Sequence, residues 1–220
     1  MTANENDHPF VECATFADDN KYSGESWQSP YHYVDIPWFA EGSKSDYKVQ
    51  TSQKNITQGI HDIVNWLANN DCADHTSNYV YTYLNKKYPS RPDLAKSYAL
   101  RLLIHFVGDI MQPLHCEARY TATTPDGDAG GNDFPLKSHY NVDNLHSLID
   151  KVLYLEKDTI ARPLSESSWT LLETKSEIYR LSVEDVCCWD RAVWDNRDFK
   201  DWQWESFQLA KGLYDGLTED

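Results

Sequence analysis

The sequence predicts a mainly α-helical domain with long loops and little β structure. The clearest helical segment is PDLAKSYALRLLIHF, which is rich in good helix formers and opens with Pro92 at a position that suits a first helical turn. A second segment, 53–69, repeats apolar residues at the helical period of about 3.6. Further helices are predicted after the glycine-rich loop at 119–140, over about 142–155, 165–181, 182–195 and 201–215.

The length and composition favour one folded domain over residues 1–220. A chain of 220 residues can bury a substantial core but is short for two domains. Hydrophobic residues make up 40%, with 8 Trp and 14 Tyr, which excludes a disordered chain. No apolar run is long enough for a membrane span, so none is predicted.

The net charge of the chain counts against a protein that coats duplex nucleic acid. There are 35 acidic and 20 basic residues, and the formal net charge is −15. Such a chain repels duplex nucleic acid and anionic membranes unless bound cations reverse the field locally. The five cysteines show no CxxC spacing, so they do not indicate a thiolate zinc site, although one or two disulfides stay open.

Histidines and carboxylates recur at a spacing that suits a metal site. His105 and Asp109 are four residues apart in the long helix, and His146 and Asp150 repeat this spacing. Residues four apart share one helix face. Pro113 should end or bend the first helix and direct His115 across its end. Imidazole and carboxylate groups are ligands of zinc, so these two segments predict a zinc centre.

Two earlier segments supply further candidates. Asp18 follows a short, mixed apolar run, and SPYHYVDIPWF, predicted as an extended segment or a bend ended by Pro37, offers His32 and Asp35. His61 and His75 are interpreted as surface residues, while His139 in the glycine-rich loop stays open. That loop has no Lys-Ser/Thr after its glycines, so it is not predicted to be a P-loop.

Six motifs together resemble one known family, the zinc-dependent single-strand nucleases and 3′-nucleotidases of fungi, plants and protozoa, which share their fold with zinc phospholipase C. The motifs are ATFAD (14–18), HYVD (32–35), HFVGDIMQPLH (105–115), GGN (130–132), NLHSLID (144–150) and WQWES (202–206). The resemblance implies a single-domain helical fold of the phospholipase C and zinc nuclease type, with a zinc cluster at the bottom of a cleft.

By matching position, the resemblance implies ligands for two zinc ions. The first ion would take Asp18, His32, His105 and Asp109; the second would take His115, His146 and Asp150. In the family a third ion is held by an N-terminal tryptophan, helped by a nearby histidine, and residues 1–13 do not reproduce that segment. Two zinc sites are therefore expected, and a third ion, which Asp109 would also reach, stays open, in a chain that we expect to be longer at both ends.

The resemblance also implies four residues that act on the substrate. Asp35 would orient the attacking water, and Lys21 stands where relatives have a cation that steadies the phosphate. Tyr33 would stack a base, which demands an unpaired strand. Asn132 would hydrogen-bond near the base or shape the loop.

The implied function is hydrolysis of single-stranded DNA and RNA to 5′-phosphate products, with removal of 3′-phosphates from nucleotides as an added activity. Two alternatives stay open: a zinc phospholipase C, and a catalytically silent metal-binding homologue. A single-stranded nucleic acid or nucleotide is the expected partner, and a monomer is expected. Secretion or an endomembrane compartment is expected if the full-length chain carries a signal peptide, which residues 1–13 do not show. In such a compartment the Asn55 sequon would be glycosylated and disulfides would form.

Overall fold

A computed structural model describes residues 9–69, 76–139, 142–151, 164–179 and 198–217. Most of the regular structure in these ranges is helical, which confirms the predicted fold class. The helices are α1 (Pro9–Glu12), α2 (Phe16–Lys21), α3 (Ile56–Asn69), α4 (Tyr79–Lys87), α5 (Pro92–Ile110), α6 (Leu145–Asp150), α7 (Glu166–Tyr179) and α8 (Phe199–Leu213). Short 3₁₀ turns cover Cys13–Thr15, Ser26–Tyr31, Lys44–Asp46 and Pro113–Cys116. No described helix is long and apolar enough to cross a membrane.

The strands form two short pairs. β1 (Pro37–Phe39) runs parallel to β2 (Ala118–Tyr120), and β3 (Pro135–His139) runs antiparallel to β4 (Val142–Asn144). The first pair is extended by backbone hydrogen bonds from Val34 N to His115 O (2.8 Å) and from Ala118 N to Ile36 O (2.9 Å). These bonds hold the segment after His32 against the segment after His115, so two distant parts of the chain meet at one place.

The main hydrophobic core lies between α3, α4 and α5. Ile60, Leu84, Leu102 and Phe106 are fully buried there, and each such side chain stabilises the fold by about 1.5–3 kcal/mol. Ser206 ties α8 to this core, because its hydroxyl donates to the carbonyl of Ile110 at 2.6 Å. The core therefore fixes the C-terminal end of α5.

A second, smaller core lies beside the 3₁₀ turn Pro113–Cys116. It consists of Leu114, Phe134, Leu145, Ala210 and Tyr214, all buried. α8 supplies one side of it, and the start of α6 supplies another. This cluster places α6 and the turn after α5 next to each other.

Several helix predictions are confirmed with small shifts at their ends. The segments predicted from Pro92 and over 53–69, 165–181 and 201–215 correspond to α5, α3, α7 and α8. The helix predicted from 142 is wrong at its start: residues 142–144 form β4, and α6 begins after Asn144, whose side chain caps it by accepting from Ser147 N (2.8 Å). Its extension to 155 and the helix at 182–195 lie outside the described residues.

Two other expectations are corrected. The stretch 119–140 is not a continuous loop, because β2 and β3 occupy its ends. Pro37 begins β1 instead of ending an extended segment, and the first position of a strand is one that proline tolerates. Cys13 and Cys116 are buried as thiols, while Cys72, Cys187 and Cys188 lie outside the described residues, so the expected disulfides stay predictions.

Candidate metal centre

One group of potential metal ligands gathers around the middle of α5. Asp18 comes from α2, His32 follows the 3₁₀ turn Ser26–Tyr31, and His105 lies on α5. One ligand atom of each lies within 4.8 Å of the others. His105 Nδ1 is 2.6 Å from the carbonyl oxygen of Ala14, which requires this nitrogen to donate and leaves Nε2 to face the group.

His32 is oriented the other way round. Its Nδ1 faces the group, 3.6 Å from Asp18 Oδ1, whereas its buried Nε2 has no hydrogen-bond partner among the described residues. The ring packs edge-on against Phe106, with centroids 5.4 Å apart. A buried nitrogen without a hydrogen-bond partner destabilises the fold. The ring of His32 therefore keeps this orientation at a cost, and the orientation directs Nδ1 toward the ligand group.

A second group lies beyond the end of α5. It comprises His115 on the 3₁₀ turn and His146 and Asp150 on α6, again with one ligand atom each within 4.8 Å. The two imidazoles stack at 5.0 Å with an angle of 11°. Their Nε2 atoms are 3.7 and 3.3 Å from the carboxylate of Asp150.

Backbone carbonyls orient both of these histidines. His115 Nδ1 lies 2.9 Å from the oxygen of His32, and His146 Nδ1 lies 2.7 Å from the oxygen of Gly130. Because a carbonyl oxygen only accepts, each Nδ1 must donate, and each Nε2 is available as a ligand.

Asp109 lies beside the first group and also approaches His115. Its Oδ2 lies 2.9 Å from His32 Nδ1 and 3.0 Å from His105 Nε2, and its Oδ1 lies 3.6 Å from His115 Nδ1, the nitrogen that donates to the oxygen of His32. Burial alone would raise the pKa of this carboxyl, but its contacts with His105 and His32 hold it well below the usual range. Burial likewise opposes protonation of His105 and His115, and their carboxylate partners nevertheless raise both pKa values.

The donor chemistry of both groups fits a metal ion. Imidazole nitrogens and carboxylate oxygens converge, and three of the four imidazoles have one nitrogen fixed as a donor to the backbone. This combination of atoms suits zinc, which takes nitrogen and oxygen ligands and benefits from such orienting hydrogen bonds. The residues present can therefore hold two metal ions, and Asp109 lies beside the first of the two groups.

Gln112 is a further residue of the site, and its role was not predicted from the sequence. Its amide nitrogen donates to Asp150 Oδ1 at 2.8 Å, and its amide oxygen accepts from Leu114 N at 2.6 Å. Gln112 thus caps the 3₁₀ turn and holds Asp150 in place. The available signal was its position directly before Pro113, where a side chain that caps the following turn is common.

A cavity of about 820 Å³ opens over the second group and the edge of the first. The four residues predicted to act on a substrate all line it: Lys21, Tyr33, Asp35 and Asn132. Lys21 Nζ is 3.5 Å from Asp18 Oδ1, and Tyr33 is 44% exposed. Partial desolvation, together with the carboxyl of Asp128, raises the pKa of Asp35.

Asn132 engages its own turn, because its side-chain nitrogen donates to the carbonyl of Ala129 at 2.8 Å. This contact holds the side chain against its own turn, and the role of Asn132 toward a substrate stays a prediction. His61 lies on α3 outside both ligand groups, with its side chain 45% exposed. His75 and the side chain of His139 lie outside the described part of the chain.

Behind the cavity wall, three buried side chains share hydrogen bonds. The hydroxyl of Tyr214 lies 2.5 Å from Glu117 Oε1 and 2.6 Å from Asp128 Oδ2. Burial and the charge of Asp128 raise the pKa of Glu117 to about 8, so this carboxyl carries a proton at neutral pH. Nothing in the sequence indicated this cluster, because its members are far apart along the chain.

Comparison with known proteins gives consistent matches. The family model described as S1/P1 Nuclease matches residues 1–219. Endonuclease 5 of Arabidopsis thaliana is 26% identical over 133 residues, which cover 60% of this chain and 39% of that protein. Endonuclease 4 of the same plant is 29% identical over 130 residues, which cover 58% and 37%. The aligned part of this chain spans about two fifths of the length of these relatives.

Proposed function

This chain belongs to the S1/P1 nuclease family, and from that premise we propose that it is a zinc-dependent nuclease of single-stranded DNA and RNA that leaves 5′-phosphate ends. The observation that carries the proposal is that two groups of imidazole and carboxylate ligands lie beside one open cavity. The first group contains His32 and His105, and the second contains His115 and His146. Two such groups beside an open cavity suit hydrolysis of a phosphodiester.

The ligand assignment follows the two groups. Asp18, His32, His105 and Asp109 would hold one zinc ion, and His115, His146 and Asp150 would hold the other. When bound, the ions lower the pKa of a water molecule and offset the charge of the phosphate. They would also bring positive charge to the cleft. A polyanionic substrate requires this positive charge, because the formal charge of the chain is −15.

Asp35 would orient the attacking water and accept its proton. Its carboxyl lines the cavity beside the second ligand group. Its pKa is raised by partial desolvation and by Asp128, and a carboxylate with a raised pKa is a stronger base.

Lys21 would contact the scissile phosphate, and Tyr33 would stack a base of the substrate. The ammonium group of Lys21 lies 3.5 Å from Asp18 Oδ1, close enough to the first ligand group to contact a phosphate there. Lysine acts as a point charge and lacks the bidentate geometry of arginine. The exposed ring of Tyr33 offers a face for a base, and only an unpaired base can stack on it, which supports a preference for single strands.

The proposal is tested by release of acid-soluble nucleotides from single-stranded DNA, with duplex DNA of the same sequence in parallel. Added zinc should support release, a chelator should abolish it, and His105→Ala should reduce it by at least about 100-fold because a ligand is lost. His61→Ala is the matched control, since it removes a histidine outside both groups. A folded, zinc-loaded wild-type chain that releases nothing would refute the proposal. A 3′-mononucleotide in the same assay tests phosphate removal.

A further inference from the structure

The hydroxyl group of Tyr214 connects the end of α8 to Glu117, which follows His115, and to Asp128 in the glycine turn that contacts His146. We propose that Tyr214 is a positioning residue that orients His146, and through it the His115, His146 and Asp150 group, for metal binding. This inference rests on the proposed function, because it assigns that group to a metal ion. Tyr214 itself does not line the cavity, so it would act through other residues.

The ring of Tyr214 is held rigidly. It is 6% exposed and makes edge contacts with Trp38 and Phe134, at centroid distances of 5.4 and 5.3 Å. It directly follows α8, which is anchored to the end of α5 by the hydrogen bond between Ser206 and Ile110. The hydroxyl therefore has a fixed position relative to α5.

One hydrogen bond of this hydroxyl reaches the chain next to His115. Glu117, its partner at 2.5 Å, is the second residue after His115 and directly follows the 3₁₀ turn Pro113–Cys116. Glu117 is 1% exposed, so the contact is shielded from water. This bond fixes the end of the turn that presents His115.

The other hydrogen bond reaches the glycine turn at 128–133. Asp128, its partner at 2.6 Å, closes this turn by accepting from Asp133 N at its carbonyl (2.9 Å), and its side chain accepts from Arg119 N (2.9 Å). A Cβ added to Gly131 would lie 3.2 Å from the Tyr214 hydroxyl oxygen, so the hydroxyl also packs against the turn itself.

The glycine turn in turn orients His146. The carbonyl of Gly130 accepts from His146 Nδ1 (2.7 Å), and the carbonyl of Gly131 accepts from His146 N (3.2 Å). The turn leaves little room for adjustment, because a Cβ on Gly130 would lie 2.2 Å from the oxygen of Leu114. A displaced turn would therefore move the carbonyl that selects the tautomer and direction of the His146 ring. Loss of such orienting contacts typically weakens metal binding by about 10–100-fold.

The test measures zinc bound per chain by equilibrium dialysis over a range of buffered free zinc. Wild type should show two binding steps. Tyr214→Phe, which removes only the hydroxyl, should shift one step to about 10–100-fold higher free zinc and leave the other unchanged. His146→Ala should lose the same step, and the double variant should lose no more than His146→Ala alone.

Tyr98→Phe is the matched control, since Tyr98 is also 6% exposed but packs in the main core, and it should leave both steps unchanged. Thermal unfolding of the metal-free proteins separates positioning from general destabilisation. If Tyr214→Phe does not fold, Asp128→Asn replaces it and should shift the same step less.

Identical zinc titrations for wild type and Tyr214→Phe, alongside a lost step in His146→Ala, would overturn the inference and leave the proposed function intact. A shift of both steps in equal measure would also overturn it. Fewer than two zinc ions on wild type would instead refute the two-metal centre itself.

Discussion

Asp109→Asn tests whether this carboxylate organises the centre even without metal. The substitution keeps the shape of the side chain and removes its charge. Asp109 makes two short contacts with His32 and His105, at 2.9 and 3.0 Å. Both contacts are made by Oδ2, which has no hydrogen-bond partner of good geometry among the described residues, so the loss is that of one charged interaction, about 1.5–3 kcal/mol. A net destabilisation of about 1–3 kcal/mol allows for relief from holding a buried charge.

The effect should depend on pH. The raised pKa of His105 means that its pairing with Asp109 stabilises the fold below the unfolded pKa of histidine, about 6.5, and that this stabilisation is lost as pH rises through the folded value. The depressed pKa of Asp109 means that its own contribution is present above the ordinary pKa of aspartate, about 3.9, and falls away in acid. The destabilisation should therefore be largest between about pH 4.5 and 6.

Urea unfolding of chelator-treated wild type and Asp109→Asn at pH 5.5 and pH 8 measures this difference. We expect the variant to be less stable by about 1–3 kcal/mol at pH 5.5 and close to wild type at pH 8. Asp19→Asn on α2 is the control, because that carboxylate belongs to neither ligand group. Equal destabilisation at both pH values would refute the proposed charge pairing.

Three further predictions concern the cavity and the loop behind it. Tyr33→Ala should raise KM for single-stranded DNA about 5–100-fold with a smaller change in kcat, because base stacking contributes about 1–3 kcal/mol; Tyr33→Phe should retain wild-type KM, and a large effect of Phe would contradict stacking. Because the pKa of Asp35 is raised, kcat/KM should rise with pH through an apparent pKa above that of an ordinary aspartate. Asp35→Asn should remove this rise, and an unchanged pH profile would exclude Asp35 as the base. Gly130→Ala should destabilise the metal-free protein by more than about 1 kcal/mol, because the φ of Gly130 is +62° and the new Cβ would meet Leu114 O. An unfolding midpoint equal to that of wild type would contradict the claim that this turn requires glycine.

The sequence alone predicted the features of the fold that depend on local periodicity. The apolar repeat and the early proline predicted α5, and spacing by four placed His105 beside Asp109 and His146 beside Asp150 on shared helix faces. These relations hold within one helix, so they do not depend on the rest of the chain. The start of α6 was predicted too early because residues 142–144 pair with β3, a contact that local pattern does not reveal.

Only the tertiary structure decided how these local pairs become one centre. It brought His32 to His105 and set Asp109 beside both. It also selected the carbonyls that orient His115 and His146, and it placed the Tyr214 hydroxyl behind the glycine turn. Several of these contacts join distant residues: His115 and His32 are 83 positions apart, and Tyr214 and Glu117 are 97 positions apart. Their geometry is set by how α5, α6 and α8 pack together, because a hydrogen bond between distant segments forms only where packing has already fixed both partners.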